Sequence, residues 1–323
     1  MKTCVLILML AFLYAGTTAK NNPAGKNQKG IAQKYPNDRN IQSHRAVIFA
    51  SGFENGFEGW TYHNNKISQI ISHPDSAFSG NKVLKSTATR GVNTGGDVDY
   101  KIFPEQEQIY LRFYTKLDKN TIIPHHFVKI RAVTEGASTR AGQKPIGDQA
   151  FWTGIEPLPD HSWNFYTYWH EMHSWQSWEG HTDGRPNPYY GNVFRVPGQE
   201  PLKKGEWICV EAMVKANTPG KYDGEQAFWI DGVKIGHWKT GEPTGTWRGD
   251  KFVIGADNAK PFEGYNFRTS EKVKINQVKL QWYISEEHML KKKATQDENS
   301  VYFDNIVIAT EYIGPMKGSK KRK

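Results

Sequence analysis

Hydrophobic and polar residues alternate with a period of two along many short stretches of this 323-residue chain, as in Phe-Val-Lys-Ile-Arg at 127–131. Such alternation predicts half-buried β-strands, because successive side chains of a strand point to opposite faces. Turn-forming Gly, Pro, Asn and Asp separate the stretches. The predicted strands are 46–49, 66–71, 83–86, 97–102, 108–116, 127–133, 163–173, 206–215, 225–230, 251–255, 274–284 and 300–310.

Helical periodicity is confined to residues 285–294, so architectures that need a helix between parallel strands are excluded. Many short strands with one helix predict an all-β fold: a concanavalin-like jelly-roll β-sandwich of two curved antiparallel sheets, formed by residues 46–316. Asp231-Gly232 lies between two strand-like runs and predicts a hairpin there. The loop signals before 225–230 predict that this strand pairs antiparallel with 206–215.

Alternation within 206–215 assigns Val210, Ala212 and Val214 to the core. The opposite set, which includes Glu211 and Lys215, is then expected on an open face. Cys209 lies in an apolar run, where an unpaired cysteine is typically a small buried hydrophobe.

The first 19 residues have the layout of a secretory signal peptide. Lys2 precedes an apolar run at 4–14, and small residues lead to a cleavage position after Ala19. We therefore expect a secreted protein, extracellular or periplasmic. No later stretch reaches the roughly 18 apolar residues of a membrane-spanning helix, so no membrane span is predicted.

The formal net charge of +9 resides in the ends of the chain. Segments 20–45 and 317–323 each carry five net positive charges, while 46–316 is slightly acidic. Both basic segments are rich in polar residues and are predicted to be flexible. Nucleic acid is excluded as a partner, because the domain lacks the excess of basic residues that phosphate contacts need. We expect a monomer.

Residues 163–178 are unusually rich in aromatic and imidazole side chains. A strand over 163–173 places Tyr166, Tyr168 and His170 on one face and Trp169 on the other. Phenol and imidazole groups can stack on sugars and also transfer protons, so the pattern indicates a carbohydrate site with chemistry. A half-buried aromatic strand without function has the same pattern, and that alternative stays open.

A second strand adds positive charge, because His125, Lys129 and Arg131 share one face of 125–131. Together the two strands suit β-elimination on a uronic acid polymer, a reaction without a cofactor. A cation neutralises the sugar carboxylate, a base takes the adjacent proton and an acid protonates the leaving oxygen. Lys129 or Arg131 is the candidate cation, and Tyr or His the base and acid. A solvated basic face is the structural alternative.

These two strands resemble those of the jelly-roll polysaccharide lyases, namely polysaccharide lyase family 14 and its glucuronan-lyase relatives, which depolymerise alginate or glucuronan. Residues 127–131 are similar to the strand with the family's lysine, and Tyr166-Thr167-Tyr168 to its Tyr-x-Tyr pair. The resemblance implies active-site roles for Lys129, Tyr166 and Tyr168.

The chain departs from the family between the lysine and the tyrosines. Where the relatives carry a Ser-x-Arg segment, this chain has Phe-Trp-Thr-Gly-Ile at 151–155, and Arg140 in a nearby loop is the candidate substitute. Besides Lys129, Tyr166 and Tyr168, we predict that His170 is a catalytic residue. Substrate contacts are predicted for His125, Arg131, Arg140, Glu211, Tyr189 and Tyr190.

Glu54 and Asp304 lie near the first and last predicted strands. In many sugar-acting jelly rolls these strands meet around a structural Ca²⁺, which prefers carboxylate and carbonyl oxygens. Glu54 and Asp304 are therefore candidate calcium ligands, with ordinary turn and edge roles as the alternative.

Two other function classes remain open. A non-catalytic lectin-like module would stack glycan on Trp169, Trp175, Trp178, Tyr189 and Tyr190. A glycoside hydrolase would use Glu211 or Glu225, although the Glu-x-Asp-x-x-Glu spacing of many jelly-roll glucanases is missing. A zinc site at His170-Glu171-Met172-His173 is excluded, because the helical metal motif needs its histidines four residues apart.

Overall fold

A computed structural model describes residues 29–72, 77–178, 184–291 and 294–318, except for the side chains of Val98 and Asp99. The predicted signal peptide therefore lies outside the described residues. One helix is present in these ranges, α1 (Glu286–Lys291), within the stretch predicted to be helical. Within the same ranges no helix has the length and apolar character needed to cross a membrane.

The strands are β1 (Val47–Ser51), β2 (Tyr62–His63), β3 (Ser68–Ser72), β4 (Lys82–Thr89), β5 (Gly95–Gln106), β6 (Gln108–Leu117), β7 (Val128–Val133), β8 (Ala150–Pro157), β9 (Trp163–Tyr168), β10 (Asn192–Arg195), β11 (Ile208–Lys215), β12 (Glu225–Ile230), β13 (Val233–Trp238), β14 (Thr244–Arg248), β15 (Lys251–Ile254), β16 (Lys260–Pro261), β17 (Ile275–Tyr283) and β18 (Glu298–Ala309). Short 3₁₀ turns occupy Ile31–Lys34, Pro36–Asp38, Ile41–Ser43 and Trp175–Ser177.

The strands form two large sheets. The eight-stranded sheet has the order β13-β12-β11-β6-β18-β4-β3, with β1 also paired to β18. The ten-stranded sheet has the order β16-β14-β15-β10-β9-β8-β7-β17-β5-β2. The pairing is antiparallel except between β10 and β15. The predicted all-β jelly-roll sandwich is thus confirmed.

The core lies between the two sheets and joins their inner faces. Phe113 of β6 packs edge-on against Phe127, directly before β7, with ring centroids 6.2 Å apart. Phe127 also stacks on Phe303 of β18 at 5.3 Å. Each fully buried side chain of this size contributes about 1.5–3 kcal/mol through removal from water. Alternating residues of β7 and β9 are therefore fixed either inward or outward.

The predicted hairpin is present between β12 and β13. Asp231 and Gly232 have φ values of 49° and 81°, the left-handed conformation that a two-residue hairpin turn requires at both positions. The strand β11 pairs antiparallel with β12, as predicted. Cys209 is buried, which is also as predicted.

The N-terminal segment departs from the prediction of a flexible stretch over 20–45. From Gly30 onward it packs on the outer face of the eight-stranded sheet, where Ile31 and Ile41 are buried. Asp38 in this segment forms an ion pair with Arg112 of β6, whose side chain is 0% exposed. The flexible prediction is therefore wrong for 30–45. Its apolar side chains bury part of this sheet, and its one acidic residue, Asp38, neutralises a buried arginine. The net basic composition of the segment gives no indication of these contacts.

Glu211 also departs from the prediction, because it does not lie on an open face. The C-terminal segment crosses the eight-stranded sheet, and Glu211 accepts hydrogen bonds from the backbone N–H groups of Ile313 at 2.7 Å and Gly314 at 2.8 Å. Burial raises the pKa of Glu211 to about 7. On the neighbouring strand Glu225 pairs with Lys215 at 2.9 Å. These contacts are structural.

Candidate active site

The outer face of the ten-stranded sheet unites the residues predicted from the two motifs. Along β7 the burial alternates, so that Val128 and Ile130 enter the core while Lys129 is half-buried on the outer side. Lys129 is directly paired with Gly154 of β8, and Gly154 with Tyr166 of β9. Directly paired residues share a face of the sheet. Lys129 and Tyr166 therefore lie on the same face, with a glycine between them.

The next row along the strands has the same arrangement. Arg131 is paired with Trp152, and Trp152 with Tyr168. The indole of Trp152 stacks on the Tyr168 ring at 4.5 Å and lies under the Lys129 ammonium, whose Nζ is 4.2 Å from the indole centroid. Trp152 therefore links the lysine to the tyrosine pair, as a cation–π partner of one and a stacking partner of the other.

Lys129 has an unusual electrostatic environment. Burial lowers its pKa to about 8, while the nearby carboxylate of Glu156 favours the charged form. Gly154 leaves the space that this carboxylate occupies, because a Cβ atom there would lie 2.8 Å from Glu156 Oε1. At neutral pH the lysine is still mostly protonated, so it can bind an anion.

The two tyrosines pack edge-on against one another, with ring centroids 5.7 Å apart. The two hydroxyls influence one another electrostatically, the backbone of Gly191 lowers the pKa of both, and that of Gly142 lowers the pKa of Tyr168. Burial raises the pKa of both hydroxyls, and that of Tyr166 lies well above its ordinary value. Tyr166 therefore keeps its proton at neutral pH, and Tyr168, which is 3% exposed, is covered.

His126 and Glu156 belong to the same site and escaped the sequence analysis. His126 Nδ1 lies 3.0 Å from Glu156 Oε1, and the imidazole is 5.2 Å from the Tyr166 ring. Counting back from Lys129 in steps of two residues places His125, not His126, on the outer face. This counting fails because β7 begins only at Val128, so the two histidines lie before the strand. A usable signal was the period-two set Trp152, Gly154 and Glu156, which marks the outward face of β8.

His125 lies beside the site rather than within the row. Its ring packs edge-on against His126 at 4.6 Å and against His288 of α1 at 5.7 Å. Burial lowers the pKa of His125 to about 4, so this imidazole is neutral at pH 7. Its predicted contact with substrate stays a prediction.

His170 is not on the predicted strand face, because β9 ends at Tyr168 rather than at residue 173. The His170 ring packs against the backbone of Gly147. Among the described residues its buried Nε2 has no hydrogen-bond partner. The alternation that placed His170 beside Tyr168 is interrupted by a turn, so that part of the prediction is wrong.

The remaining predicted substrate contacts lie in three settings. Arg131 reaches the site but is engaged by Gln277, to which it donates a hydrogen bond. Arg140 is exposed in the loop that carries Gly142, and Gly142 bridges to Tyr189. Tyr190 lies under the Arg185 guanidinium at 5.1 Å. Roles in binding remain predictions for Arg131, Arg140, Tyr189 and Tyr190.

Three other assignments do not fit the structure. Glu211 cannot contact a substrate on this face, because it is buried under the C-terminal segment on the other sheet. Trp169 and Trp175 are buried as well, so their predicted stacking on glycan is wrong. Trp178 is exposed.

Glu54 and Asp304 do come close to one another, but their oxygens have other partners. Asp304 accepts backbone hydrogen bonds from Phe78 at 2.8 Å and Asn305 at 2.7 Å, and Glu54 Oε1 accepts one from Asn81 at 2.8 Å. The calcium ligation predicted for Glu54 and Asp304 stays a prediction. No cluster of three or more potential metal-ligating His, Cys, Asp or Glu side chains occurs in the part of the chain that the structure describes.

Comparison with known proteins shows which solved structures share this fold. No protein-family model and no curated protein sequence matches this chain. Among solved structures, the alginate lyase vAL-1 from Chlorella virus matches with a TM-score of 0.53 and 14% identity over 82% of this chain and 99% of that one. Alginate lyase Aly36B matches with a TM-score of 0.51 and 11% identity over 84% and 96%. The family 14 alginate lyase from Aplysia kurodai matches with a TM-score of 0.50 and 12% identity over 82% and 99%.

The protein thus has the jelly-roll fold of the polysaccharide lyases, and the predicted resemblance is confirmed at the level of the fold. At this identity the match supports the architecture alone.

Proposed function

We propose that this protein is a secreted polysaccharide lyase that cleaves a uronate-containing polysaccharide, of the alginate or glucuronan type, by β-elimination. One observation carries the proposal: a half-buried lysine, an oriented histidine and a protonated tyrosine lie together on one outer face of a lyase-type jelly roll. The fold neighbours vAL-1, Aly36B and the Aplysia enzyme are alginate lyases, which supports the substrate class.

Lys129 is the group that binds the carboxylate of the uronate. Its ammonium is held over Trp152 in a partly desolvated position, where its interaction with an anion is stronger than in water. Neutralising the carboxylate acidifies the proton on the adjacent carbon and stabilises the negative charge that develops there.

His126 takes that proton. Its Nδ1–H donates to Glu156, which fixes the ring and leaves Nε2 as the proton acceptor. This assignment replaces His170, which lies off the strand face. Tyr168 is covered and packs against the Tyr166 ring, so it acts by positioning Tyr166.

Tyr166 completes the elimination by giving its proton to the leaving glycosidic oxygen. The carbon–hydrogen bond and the carbon–oxygen bond break, and a carbon–carbon double bond forms between them. The proton gained by His126 returns to Tyr166, whose ring is 5.2 Å away, through solvent. No oxidant, metal or cofactor enters this balance.

The test is to incubate the mature protein with alginate, glucuronan and, as a neutral control, cellulose, and to follow the ultraviolet absorbance of the unsaturated product. The acidic polymers should give signal and cellulose none. His126→Ala should lower turnover by about 10²–10⁴-fold. His125→Ala, the adjacent imidazole, is the matched control and should change turnover much less. Folded protein without activity on any acidic polymer would contradict the lyase proposal, and equal loss in both variants would contradict the role of His126.

A second candidate is a non-catalytic carbohydrate-binding module. Two observations favour it: Tyr168 is 3% exposed, and Gly154 provides no side chain between Lys129 and Tyr166. In that case the polymers would bind without any unsaturated product, and Lys129→Ala would weaken binding with no turnover to lose. Calorimetric titration of the same polymers distinguishes the two functions.

A further inference from the structure

The row that contains Lys129 continues across the sheet well beyond the site. From β9 towards the edge strand β2, each residue in it is directly paired with the next in the adjacent strand. Its members are Tyr166, Gly154, Lys129, Lys279, Tyr100 and Tyr62. Because paired residues share a face, the whole row points outward on the same side as the site.

The far end of the row is an exposed aromatic pair. The rings of Tyr62 and Tyr100 stack with centroids 5.0 Å apart and an angle of 16°. Tyr62 is 40% exposed and sits on a two-residue strand with no buried position. Such a ring adds little to the core, whereas an open aromatic face suits packing against the apolar side of a sugar ring.

Between the aromatic pair and the site lie two directly opposed lysines. Lys279 is paired with Lys129 across β17 and β7, and like charges in that position repel. Asp97 offsets part of the repulsion, because its Oδ2 lies 2.5 Å from Lys279 Nζ. Lys279 Nζ is also 5.5 Å from the Tyr100 ring. An anionic chain crossing these strands would relieve the remaining repulsion.

The length of the row sets the size of the ligand. Neighbouring strands are about 4.8 Å apart, so Tyr62 lies three strand spacings, about 14 Å, from Lys129. A single sugar cannot span that distance, whereas an oligosaccharide can.

We propose that Tyr62 and Tyr100 form a remote sugar-stacking subsite, and that Lys279 contacts a uronate between this subsite and Lys129. The inference rests on the proposed function and extends it: the ligand is a polyuronate chain several sugars long that lies across the strands. The Tyr62–Tyr100 subsite contributes to binding rather than to the chemical step.

The experiment compares Tyr62→Ala, Tyr62→Phe and the wild type on uronate oligomers of increasing length and on the polymer. Tyr62→Ala should raise KM for the polymer about threefold to tenfold, with kcat nearly unchanged. Tyr62→Phe should restore the wild-type KM, because it keeps the ring. Oligomers too short to reach Tyr62 should not distinguish the variants. Tyr222→Ala is the matched control, since Tyr222 is 44% exposed but outside the row.

Unchanged polymer kinetics in Tyr62→Ala, or an equal loss on the shortest oligomers, would overturn the subsite. Failure of the lyase proposal is detected separately. If the wild type forms no unsaturated product, calorimetric titration with intact alginate still tests the row. Weaker binding by Tyr62→Ala than by Tyr222→Ala would then support the subsite without the chemistry, and equal binding would overturn it.

Discussion

The outer faces of the two sheets carry similar residues in different surroundings. Each has a lysine over a tryptophan: Lys129 Nζ is 4.2 Å from the ring of Trp152 on the ten-stranded sheet, and Lys116 Nζ is 5.1 Å from that of Trp207 on the eight-stranded sheet. The eight-stranded face is covered by residues 30–45 and by the C-terminal segment. On the ten-stranded face Lys129 stays half-buried.

The cover determines what the polar groups do. On the eight-stranded sheet Arg112 is paired with Asp38, and Glu211 with backbone amides of the C-terminal segment. These charges have internal partners and serve stability. On the ten-stranded sheet Lys129 is held by a ring and has a nearby carboxylate, without a direct ion pair among those found in the described residues. The same alternation of polar and apolar residues thus produces a structural face and a chemical face.

Among the changes that compare the two faces, the largest effect is expected from removing the cation of the open face. Lys129→Ala should lower turnover of a uronate polymer by about 10²–10³-fold, because the developing negative charge loses its stabilising partner. The midpoint of thermal unfolding should change little. Lys116→Ala is the matched control on the covered face and should leave turnover unchanged. Similar loss of turnover in both variants would mean that the two faces do not differ in function.

The covered face should respond in stability instead. Asp38→Ala leaves the buried Arg112 guanidinium without its counter-charge and should lower the free energy of unfolding by about 3–5 kcal/mol. The measurement is denaturant unfolding, with activity per folded molecule unchanged.

A double variant, Asp38→Ala with Arg112→Met, provides the control. It removes both charges and should recover part of the lost stability. If Asp38→Ala instead abolished turnover in fully folded protein, the separation between the two faces would fail.

The smallest effect is a pH dependence of substrate binding. The pKa of Lys129 is lowered to about 8, so its charge is present below that pH and lost above it, while the uronate carboxylate stays ionised. KM should therefore rise about tenfold between pH 7 and pH 9. Lys129→Arg keeps its charge over this range and should show a flat KM, whatever its kcat. A wild-type KM that stays flat would contradict carboxylate binding by Lys129.

The fold and the centre of the site could be predicted because both depend on local alternation. Lys129, Tyr166 and Tyr168 each lie within a strand, so period-two counting gives their face correctly. His126 and His170 lie just outside strand ends, where counting fails. The sequence therefore failed to predict His126, which lies just before β7, and wrongly placed His170, which lies just after β9, on the strand face.

Other errors came from contacts distant in sequence. Glu211 is buried by backbone groups about a hundred positions later, and no local pattern indicates that cover. The Asp38–Arg112 pair spans 74 positions and is equally invisible to a reading of charge composition. The extended row to Tyr62 needs the register of β2, β5, β17 and β7 at once, which only the folded sheet supplies.

The most direct test of the central claim is the mass of the oligosaccharides released from a uronate polymer in heavy-oxygen water. Elimination breaks the chain without adding water, so the products should carry an unsaturated end and no heavy oxygen from the cleavage step, and Lys129→Ala should release almost none. Products that have gained one heavy oxygen per cleavage would show hydrolysis and contradict elimination on the ten-stranded face.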